Sequence, residues 1–515
     1  MKIVGAIDIG SNAIRMVCAR LTDDRRIELI EKYRTSVRLG EDVFGQGYLS
    51  EETITRLSEA LRVYHRTLQQ NGATEVCAYS TSAIRETANQ EEVIERLEQE
   101  TGIRLETISG GQEASLLQRA VGRVVDIHSG EVLMADLGGG SLEVSLLVNG
   151  EIEFAESFRL GTVRLLKMFP YTPAQEKVFL RWAKSYVKDF MSYIKTRAGW
   201  KRLDQVIVTG GNATALGKFA AQHVGGTPFE EGLCTMDRPT FLRVKKLLLQ
   251  HDLRGREEAL GLSTDRSDVI LPAVLIFDQL MQLSGAKVLH IPAVGLRDGI
   301  LDEMLERAWG DETPSAHEQI MHSAWHYARR YGTNLQHSET VRKLSLQLFD
   351  GTRTLHHLGT RDRTLLEVAA VLHDIGRFIR PSDHPQHSMY LIQNAELVGL
   401  TNTERQMVAL VARYHTSGTP STKERQFGRL SLEQRHSVTG LTALLRVADA
   451  LDRQHEDLVP SLYPEVSPRQ VQLLLKGTED LMLAEWALKR KKKLFEKTFK
   501  RTLEVASLPE DPHQA

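Results

Sequence analysis

Two kinds of hydrophobic pattern divide the chain into an N-terminal α/β part and a C-terminal part that is mostly helical. Up to about residue 305, short continuous apolar runs of strand type alternate with stretches whose apolar residues recur at helical spacing. The strands predicted by the clearest runs begin at Lys2, Val76, Val132 and Gln205. The clearest helix is predicted from Ser50 to about Gln70. This alternation is typical of an α/β fold.

The pattern changes after a turn-rich segment, Gly310–Ser315, which we predict to be a linker. From residue 316 to about 456 the apolar positions follow helical spacing almost throughout. The tail is predicted to contain a strand at Val471–Leu475, a charged helix from 478 to about 498, and a closing strand at Thr502–Val505. The sequence therefore predicts an all-helical domain over 316–460 and a small α/β subdomain over 461–515.

Two loops of similar composition follow strands of the α/β part. They run from Asp8 to Asn12, with Gly10 at the centre, and from Asp136 to Ser141, with three glycines. Glycine lets the backbone approach an anion, and successive N–H groups in such a turn form an anion-binding concavity. An aspartate at the strand end can hold Mg²⁺, directly or through water. One such loop would be weak evidence because Asp-x-Gly is a common hairpin turn, but two predict a duplicated, two-lobed, phosphate-binding fold.

Composition excludes several classes of protein. The formal net charge is −2, which argues against a protein dedicated to nucleic acid or to a membrane surface. The three cysteines, Cys18, Cys77 and Cys234, follow neither metal nor disulfide spacing, which favours a reducing cytosol. No stretch approaches the roughly 20 apolar residues of a membrane span. The length of 515 residues predicts about three or four domains.

The two loops belong to a larger set of motifs. The others are Ser80–Glu86, Ile108–Ala114, Gly138–Glu143 and Thr209–Thr214. In this order the set resembles the exopolyphosphatase / guanosine pentaphosphate phosphohydrolase family of the actin-like ATPase superfamily. The resemblance implies two actin-like (ribonuclease H-like) lobes, which we place at residues 1–125 and 126–305. It also implies removal of the terminal phosphate of inorganic polyphosphate, of guanosine pentaphosphate, or of both.

The resemblance implies a role for each polar residue of these motifs. Glu113 matches the family's general base, and Asp136 and Glu143 match the carboxylates that hold Mg²⁺ and position the attacking water. Asp8 matches the metal carboxylate of the first lobe. The residues expected to bind phosphate oxygens are Ser11, Asn12, Arg85, Gly138, Gly139, Gly140 and Ser141. A surface salt bridge is the alternative for Arg85, and a carboxylate that stabilises a helix N-terminus is the alternative for Glu113.

A second constellation lies in the helical part. His337, the pair His373-Asp374 and Asp449 resemble the HD phosphohydrolase superfamily in order and local context. The resemblance implies an HD-type domain in which two histidines and two aspartates from different helices bind a divalent metal. Such ligands suit Zn²⁺, Mn²⁺ or Fe²⁺ better than Ca²⁺, and we expect Mn²⁺ or Zn²⁺. Candidates for the ligands of a second metal are His387 and His415. The alternative is an inherited scaffold that binds no metal.

One dense basic run, Lys489–Lys493, lies in the predicted charged helix of the tail. A solvated helix face is the simpler interpretation. The alternative is a track for a polyanion, because closely spaced cations bind a phosphate chain with a strong dependence on salt.

We therefore expect a cytoplasmic exopolyphosphatase that uses Mg²⁺ and an activated water to release terminal phosphate from inorganic polyphosphate. The alternatives are a guanosine pentaphosphate 5′-phosphohydrolase, an ATP-dependent kinase of the same superfamily, and a polyphosphate or nucleotide sensor without turnover. A sensor should lack the carboxylate set, which is complete here. A kinase would need a pocket for a second substrate, for which the sequence gives no signal. We expect a homodimer that binds neither nucleic acid nor membranes.

Overall fold

The chain folds as two units, Met1–Pro314 and Ser315–Ala515. The structure is a computed structural model. It describes residues 2–169, 176–201, 203–309, 314–395, 397–452, 461–476 and 481–507. Most of the predicted linker, residues 310–313, lies outside the described residues.

Two mixed sheets with matching topology form the framework of the first unit. The first sheet contains β1 (Lys2–Ile9), β2 (Ile14–Leu21), β3 (Ile27–Thr35), β4 (Glu75–Ser80) and β5 (Leu105–Thr107). The second contains β6 (Glu131–Leu137), β7 (Leu142–Val148), β8 (Glu151–Phe158), β9 (Gln205–Thr209), β10 (Leu233–Asp237) and β11 (Val288–Pro292). Their strand orders are β3-β2-β1-β4-β5 and β8-β7-β6-β9-β11-β10. The second sheet thus repeats the first with one added edge strand, which confirms the predicted duplication.

Helices cover both sheets. They are α1 (Leu39–Gln46), α2 (Glu51–Gln70), α3 (Ser82–Glu86), α4 (Gln90–Thr101), α5 (Gly110–Gly122), α6 (Thr162–Met168), α7 (Glu176–Ala198), α8 (Gly211–His223), α9 (Arg238–Gln250), α10 (Leu253–Glu258), α11 (Thr264–Ser267), α12 (Ile270–Ser284) and α13 (Leu296–Trp309). The predicted helix after Ser50 is α2. The Ser50 side chain caps it by accepting the Thr53 N–H at 3.3 Å. Its buried face includes Ile54, Leu57 and Leu61, at the spacing of an amphipathic helix.

The most apolar segment of the chain is a core element. Among the described residues, only Thr264–Ser284 has the length and hydropathy of a membrane span, and 78% of that window is buried inside the fold. Phe277 and Leu280 of α12 pack in the core of the second lobe with Val206 and Val208 of β9. Burial against a sheet therefore accounts for the hydropathy of this segment.

The last helix of the first unit, α13, packs against the first sheet. Ile300 and Met304 share a buried cluster with Val4 and Ala6 of β1. A Cβ at Gly299 would lie 2.0 Å from the carbonyl oxygen of Leu116 in α5, so glycine permits this close crossing. The predicted boundary of the second lobe at residue 305 is therefore wrong, because the chain returns to the first lobe with α13.

The second unit begins with helices, as predicted. They are α14 (Pro314–Arg330), α15 (Leu335–Gly351), α16 (Arg353–His356), α17 (Thr360–Leu372), a 3₁₀ turn (Ile375–Phe378), α18 (His384–Gln393), α19 (Asn402–Arg413), α20 (Arg425–Gly428) and α21 (Leu432–Leu451). The tail contains β12 (Ser461–Val466), β13 (Gln470–Lys476), α22 (Leu481–Lys491), α23 (Lys493–Phe499) and β14 (Thr502–Ser507). Its strands form one sheet in the order β12-β13-β14.

The tail shares its core with the helices that precede it. Leu473 of β13 and Leu503 of β14 belong to the same buried cluster as Leu344 of α15 and Leu444 of α21. The predicted separation of 461–515 as a subdomain of its own is therefore not seen in the packing. The predicted charged helix is divided at Lys492 into α22 and α23.

Candidate active site

The two predicted phosphate loops close in the same way. Residues 10–13 join β1 to β2, and residues 138–141 join β6 to β7. The Gly10 N–H donates to the carbonyl of Ala13 at 3.3 Å, and the Gly138 N–H donates to the carbonyl of Ser141 at 3.0 Å. Both loops line one cleft of about 560 Å³. The structure therefore places two equivalent glycine turns on the same cavity.

Small residues let the two loops approach each other. A Cβ built on Gly139 would lie 3.2 Å from Ser11 Cβ and 3.4 Å from the Asn12 amide nitrogen. A Cβ on Gly140 would lie 2.8 Å from Ser11 Oγ and 2.6 Å from Ser82 Oγ, and these two hydroxyls are 2.9 Å apart. The predicted phosphate-binding residues that line the cleft are Ser11, Asn12, Gly138, Gly139 and Ser141. Gly140 instead permits the packing behind them.

Three carboxylates, two of them buried and that of Asp136 partly exposed, face one another on this cleft. Glu113, Asp136 and Glu143 each place a carboxylate oxygen within 4.8 Å of the other two. Asp136 on β6 is the cross-strand partner of Glu143 on β7. Glu113 lies in the first turn of α5, whose start is fixed by a capping box between Ser109 and Gln112. Because like charges opposite each other on a sheet are destabilising, this arrangement indicates a cation site.

Burial and repulsion from neighbouring carboxylates raise the pKa of all three carboxyl groups. Burial, followed by the nearby Glu143, holds the pKa of Glu113 well above its usual range. Burial and Asp136 raise the pKa of Glu143 to about 7. Burial also raises the pKa of Asp136, although Thr209 donates to its Oδ1 at 2.8 Å. A divalent cation would relieve this repulsion by replacing the protons.

The hydrogen bonds of the group leave one oxygen of Glu113 without a described donor. Ser157 donates to Glu143 Oε1 at 2.8 Å. No described residue donates a hydrogen bond to the buried Oε2 atom of Glu113. A donor set made only of oxygen suits Mg²⁺. The residues present therefore fit the predicted magnesium ion.

Two predicted site residues have different surroundings from those expected. Asp8 lines the cleft, but it lies outside the three-carboxylate group, and its Oδ2 accepts a hydrogen bond from Arg15 at 3.0 Å. The Arg85 guanidinium donates to the carbonyl of Ile108 at 2.8 Å and lies 3.9 Å from Glu113 Oε2. Arg85 is not part of the described cleft lining. It therefore supports the start of α5 and the charge of Glu113, and its role as a phosphate clamp stays a prediction.

The sequence interpretation missed most of the cationic lining of the cleft. Its members are Arg15, Lys32, Arg34, Lys218, Arg266 and Arg297. Arg266 donates to Asn212 Oδ1 at 2.9 Å, and burial together with repulsion from Arg34 and Arg15 lowers its pKa to about 10. A guanidinium in such surroundings is stabilised by a bound anion. These cations come from β2, β3, α8, α11 and α13, so no local motif could reveal them.

Comparison with protein families decides where the chain belongs. Residues 17–308 match the model of the Ppx/GppA phosphatase family, and residues 321–498 match the model of Ppx/GppA phosphatase, domain III. The chain belongs to the Ppx/GppA phosphatase family. It is therefore a hydrolase that acts on phosphoanhydride bonds, in a family whose members generally depend on divalent metals. The C-terminal match is to the family's own third domain, so the HD-type assignment stays a prediction.

Similar proteins have names that point to two substrates. A guanosine-5′-triphosphate,3′-diphosphate pyrophosphatase of Vibrio vulnificus is 25% identical over 475 residues, which cover 90% of this chain and 88% of the relative. An exopolyphosphatase from Cytophaga hutchinsonii of known crystal structure is 26% identical, with a TM-score of 0.56, and covers 59% of this chain and 98% of its own. The Aquifex aeolicus member of the Ppx/GppA family shows the same fold, with a TM-score of 0.51. It is 24% identical, and the match covers 61% of this chain and 99% of its own.

In domain III of this Ppx/GppA protein, the second predicted constellation comes together. His337 lies in the first turn of α15, His373 and Asp374 follow α17, and Asp449 lies near the end of α21. One set of ligand atoms within 4.8 Å of one another comprises His337, His373 and Asp374, and another comprises His373, His415 and Asp449. The predicted four residues are therefore neighbours, together with His415.

His384, rather than His387, joins this group. The third set of ligand atoms within 4.8 Å comprises Asp374, His384 and His415. Ser388 lies one turn after His384 on α18, and its hydroxyl donates to the His373 carbonyl at 2.6 Å. His384 and Ser388 thus share the inward face of the helix, and His387 lies beside that face. The structure therefore replaces the predicted His387 with His384.

Proposed function

We propose that the protein is an exopolyphosphatase, which removes terminal phosphate from inorganic polyphosphate with Mg²⁺ and a water molecule activated by Glu113. The observation that supports this best is one cleft that carries both a largely buried three-carboxylate group and cations from five elements. The carboxylates suit a metal ion, and the cations suit a long polyanion. Apart from Asp8, the remaining described lining consists of small polar, aliphatic and glycine residues, which suits a chain made only of phosphate.

Glu113 is the proposed general base. A carboxylate with a raised pKa accepts a proton from water more readily than an exposed glutamate does. Asp136 and Glu143 would hold Mg²⁺, which supplies charge neutralisation at phosphate oxygens when it is bound. Asp8 stays a candidate for contact with the metal through water, because it lines the same cleft.

The two glycine loops are proposed to bind the terminal phosphate. Backbone N–H groups in such turns donate to anionic oxygens, and the Ser11 and Ser141 hydroxyls lie on the same cleft. Arg266, Lys218 and Arg297 would bind the phosphates that follow. Each internal phosphate of the chain carries a negative charge, so several separate cations can contribute to binding.

A guanosine pentaphosphate phosphohydrolase is the second candidate. The Vibrio vulnificus and Vibrio parahaemolyticus relatives, both 25% identical to this chain, are named as guanosine-5′-triphosphate,3′-diphosphate pyrophosphatases. Such a nucleotide presents a terminal phosphoanhydride and a second group of phosphates. The same carboxylates and the same cations could therefore serve this substrate.

Phosphate release should be measured side by side on long-chain polyphosphate and on guanosine pentaphosphate, with Mg²⁺ and with ATP as a control. We expect kcat/KM to be higher for polyphosphate. A higher kcat/KM for guanosine pentaphosphate would replace the proposal with the second candidate. Binding of either compound without turnover would indicate a sensor, and transfer of phosphate from ATP to an acceptor other than water would indicate a kinase.

A further inference from the structure

We propose that Arg164 is a positioning residue of the candidate active site. It orients a backbone amide group of the glycine loop at residues 138–141, and it makes that orientation depend on contact with the first lobe. The proposal rests on the proposed function, in which this loop binds the terminal phosphate. Arg164 is not part of the described cleft lining, so it acts through the loop and not on the substrate itself.

Three consecutive carbonyl groups of the loop accept hydrogen bonds from α6. The donors are the Thr162 N–H to Gly138 at 3.2 Å, the Val163 N–H to Gly139 at 2.8 Å, and the Arg164 guanidinium, through Nε, to Gly140 at 2.7 Å. The first two donors are backbone groups, which any residue other than proline would supply. Among the described residues, only the Arg164 side chain donates to the Gly140 carbonyl. The orientation of this last peptide group therefore depends on one side chain.

The hydrogen bond to the Gly140 carbonyl also fixes where the next amide points. The peptide group is trans, and in a planar trans peptide the C=O and the N–H point in opposite directions. Because the Gly140 carbonyl faces Arg164, the Ser141 N–H points away from Arg164. No described residue accepts a hydrogen bond from this N–H, and Ser141 lines the cleft. Arg164 thus leaves the Ser141 amide available to a phosphate oxygen.

Glycine at position 161 permits the close approach of α6 to the loop. A Cβ at Gly161 would overlap the carbonyl oxygen of Gly139 and the carbonyl carbon of Gly140. These are backbone atoms, which cannot move aside without moving the loop itself, so the approach requires glycine. The contact between α6 and the loop is therefore a feature of the backbone, and the Arg164 side chain completes it.

The outer nitrogen of the Arg164 guanidinium contacts the first lobe. Its Nη2 atom donates to Glu86 Oε1 of α3 at 2.8 Å, and its central carbon lies 4.0 Å from the centroid of the Phe44 ring of α1. Only 14% of the Arg164 side chain and 18% of the Glu86 side chain are exposed, so solvent weakens this ion pair less than a surface pair. A planar guanidinium can donate in two directions and stack on a ring at once, which an ammonium group cannot do. One side chain therefore joins the loop of the second lobe to two helices of the first.

This arrangement makes the geometry of the loop depend on how the two lobes meet. Without the first lobe, Arg164 would lose both Glu86 and Phe44, and nothing else described would hold its guanidinium at the Gly140 carbonyl. Preorganised donors contribute most where charge develops in the transition state. Loss of Arg164 should therefore affect kcat more than KM.

The test compares Arg164→Met with the matched control Arg159→Met. Arg159 also pairs with Glu86, at 3.2 Å, but its side chain is 75% exposed and makes no described contact with the loop. Removal of one preorganised donor costs about 10²–10³ in kcat, and a misoriented donor should cost less. Relative to the control, Arg164→Met should lower kcat by about 10–100-fold and change KM by less than about threefold.

The choice of substrate is tested separately from the role of Arg164. The rates of the wild-type protein decide between polyphosphate and guanosine pentaphosphate, whereas the ratio of the two arginine variants decides the role of Arg164. This ratio is measured on whichever of the two compounds the wild-type protein hydrolyses, because both end in a phosphate group. A preference for guanosine pentaphosphate would therefore overturn the proposed function and leave the test of Arg164 intact.

Inhibition by orthovanadate provides a second measurement, since its five-coordinate adducts imitate the transferring phosphate group. The inhibition constant should rise in Arg164→Met by the factor by which kcat falls, because both quantities report binding of the transition state. A residue that only holds the lobes together would lower the melting temperature and leave both quantities at the control values, which would overturn the proposal. If circular dichroism shows that Arg164→Met is unfolded, Arg164→Lys, which keeps the charge without the planar fork, takes its place with the same expectation.

The variant Glu86→Gln tests the dependence on the first lobe. It should lower kcat in the same direction as Arg164→Met, because the amide holds the guanidinium less strongly than the carboxylate does. If Glu86 acts through Arg164, the double variant should be no slower than Arg164→Met alone. An unchanged kcat in Glu86→Gln, or two losses that multiply in the double variant, would overturn this dependence.

Discussion

Single residues of this cleft owe their chemistry to their surroundings. Glu113 is 6% exposed and lies beside Glu143, so its pKa is raised, whereas Glu106 on β5 is exposed to solvent. Arg266 is similarly set apart from the surface arginines by burial and by its cationic neighbours. Residue type alone would not distinguish these side chains. Two predictions at this scale follow from their surroundings.

The variant Glu113→Gln should lower kcat for polyphosphate by about 10²–10⁴-fold, because the amide keeps the size of the side chain but cannot accept a proton. Polyphosphate affinity should change little, since the loops and cations bind the phosphates. Steady-state kinetics and a binding assay measure the two effects. Glu106→Gln is the matched control. Turnover near that of the wild type in Glu113→Gln would exclude it as the base.

The variant Arg266→Met should raise KM for polyphosphate by about 10–100-fold, which corresponds to the free energy of one lost hydrogen bond to a charged group. It should also weaken the dependence of binding on salt, because one cation is removed. Titration of polyphosphate at several salt concentrations measures both. Arg254→Met, at a position whose side chain is 81% exposed, is the control. An unchanged KM together with an unchanged salt dependence would remove Arg266 from the substrate path.

At the scale of elements, the close approach of the two hairpin loops depends on Gly139 and Gly140, which face different neighbours. A Cβ on Gly139 would meet its neighbours at 3.1–3.4 Å, so small shifts accommodate it. A Cβ on Gly140 would lie 2.3 Å from the Phe44 ring as well as close to two serine hydroxyls. The two glycines of one motif therefore differ in how well they tolerate a side chain.

Gly140→Val should abolish phosphate release, whereas Gly139→Ala should retain part of it. Gly45→Ala serves as a control, because a Cβ there meets no atom within 4 Å. Rates of phosphate release and far-UV circular dichroism for the three proteins provide the measurement. If Gly140→Val hydrolyses polyphosphate as fast as Gly45→Ala, the close approach of the loops is not needed.

The contact between α5 and α13 predicts a pH dependence of stability. Near the end of α5, Arg119 forms an ion pair with Glu306 of α13. Arg123, the residue that follows α5, forms one with Asp302. Burial, only partly offset by Arg123, raises the pKa of Asp302 to about 6. The folded state therefore binds this proton more tightly than the unfolded state, and stability falls as the pH rises from about 4 to about 6.

Asp302→Asn should remove this component of the pH dependence. Relative to the variant, the wild-type protein should lose up to about 3 kcal/mol of unfolding free energy across that window. Chemical denaturation at several pH values measures the difference. A constant difference between the two proteins from pH 4 to pH 7 would contradict the assignment.

At the scale of the whole molecule, we expect the two units to divide the chemistry. Asp374→Asn should reduce polyphosphate hydrolysis much less than Glu113→Gln does, because Asp374 lies in the second unit and the carboxylate cleft in the first. Metal content and phosphate release should be measured on the same preparations. If folded Asp374→Asn stops hydrolysis as completely as Glu113→Gln, the division is wrong.

The parts of the molecule that the sequence could predict are those encoded locally. The hairpin glycines, the Ser50 cap and the apolar strands each signal within a few residues, so the duplicated sheets could be inferred. The carboxylate group was predicted only through the resemblance of its motifs to a known family. Arg266 could not, because only the tertiary fold brings a short helix beside the glycine loops. His384 was missed for a related reason: spacing along a helix does not fix which face turns inward. The packing of α13 on the first sheet likewise depends on contacts between distant segments.

Helix α13 lies far along the chain from the sheet that it covers, and this has a consequence for synthesis on the ribosome. Val4 and Ala6 emerge long before Ile300 and Met304, which bury them. At about 5–20 residues per second, the delay is on the order of 15–60 s. During that time the first lobe exposes an apolar face, and its folding can finish only after the second lobe has been made. A nascent chain that is released before α13 emerges would therefore be prone to aggregate.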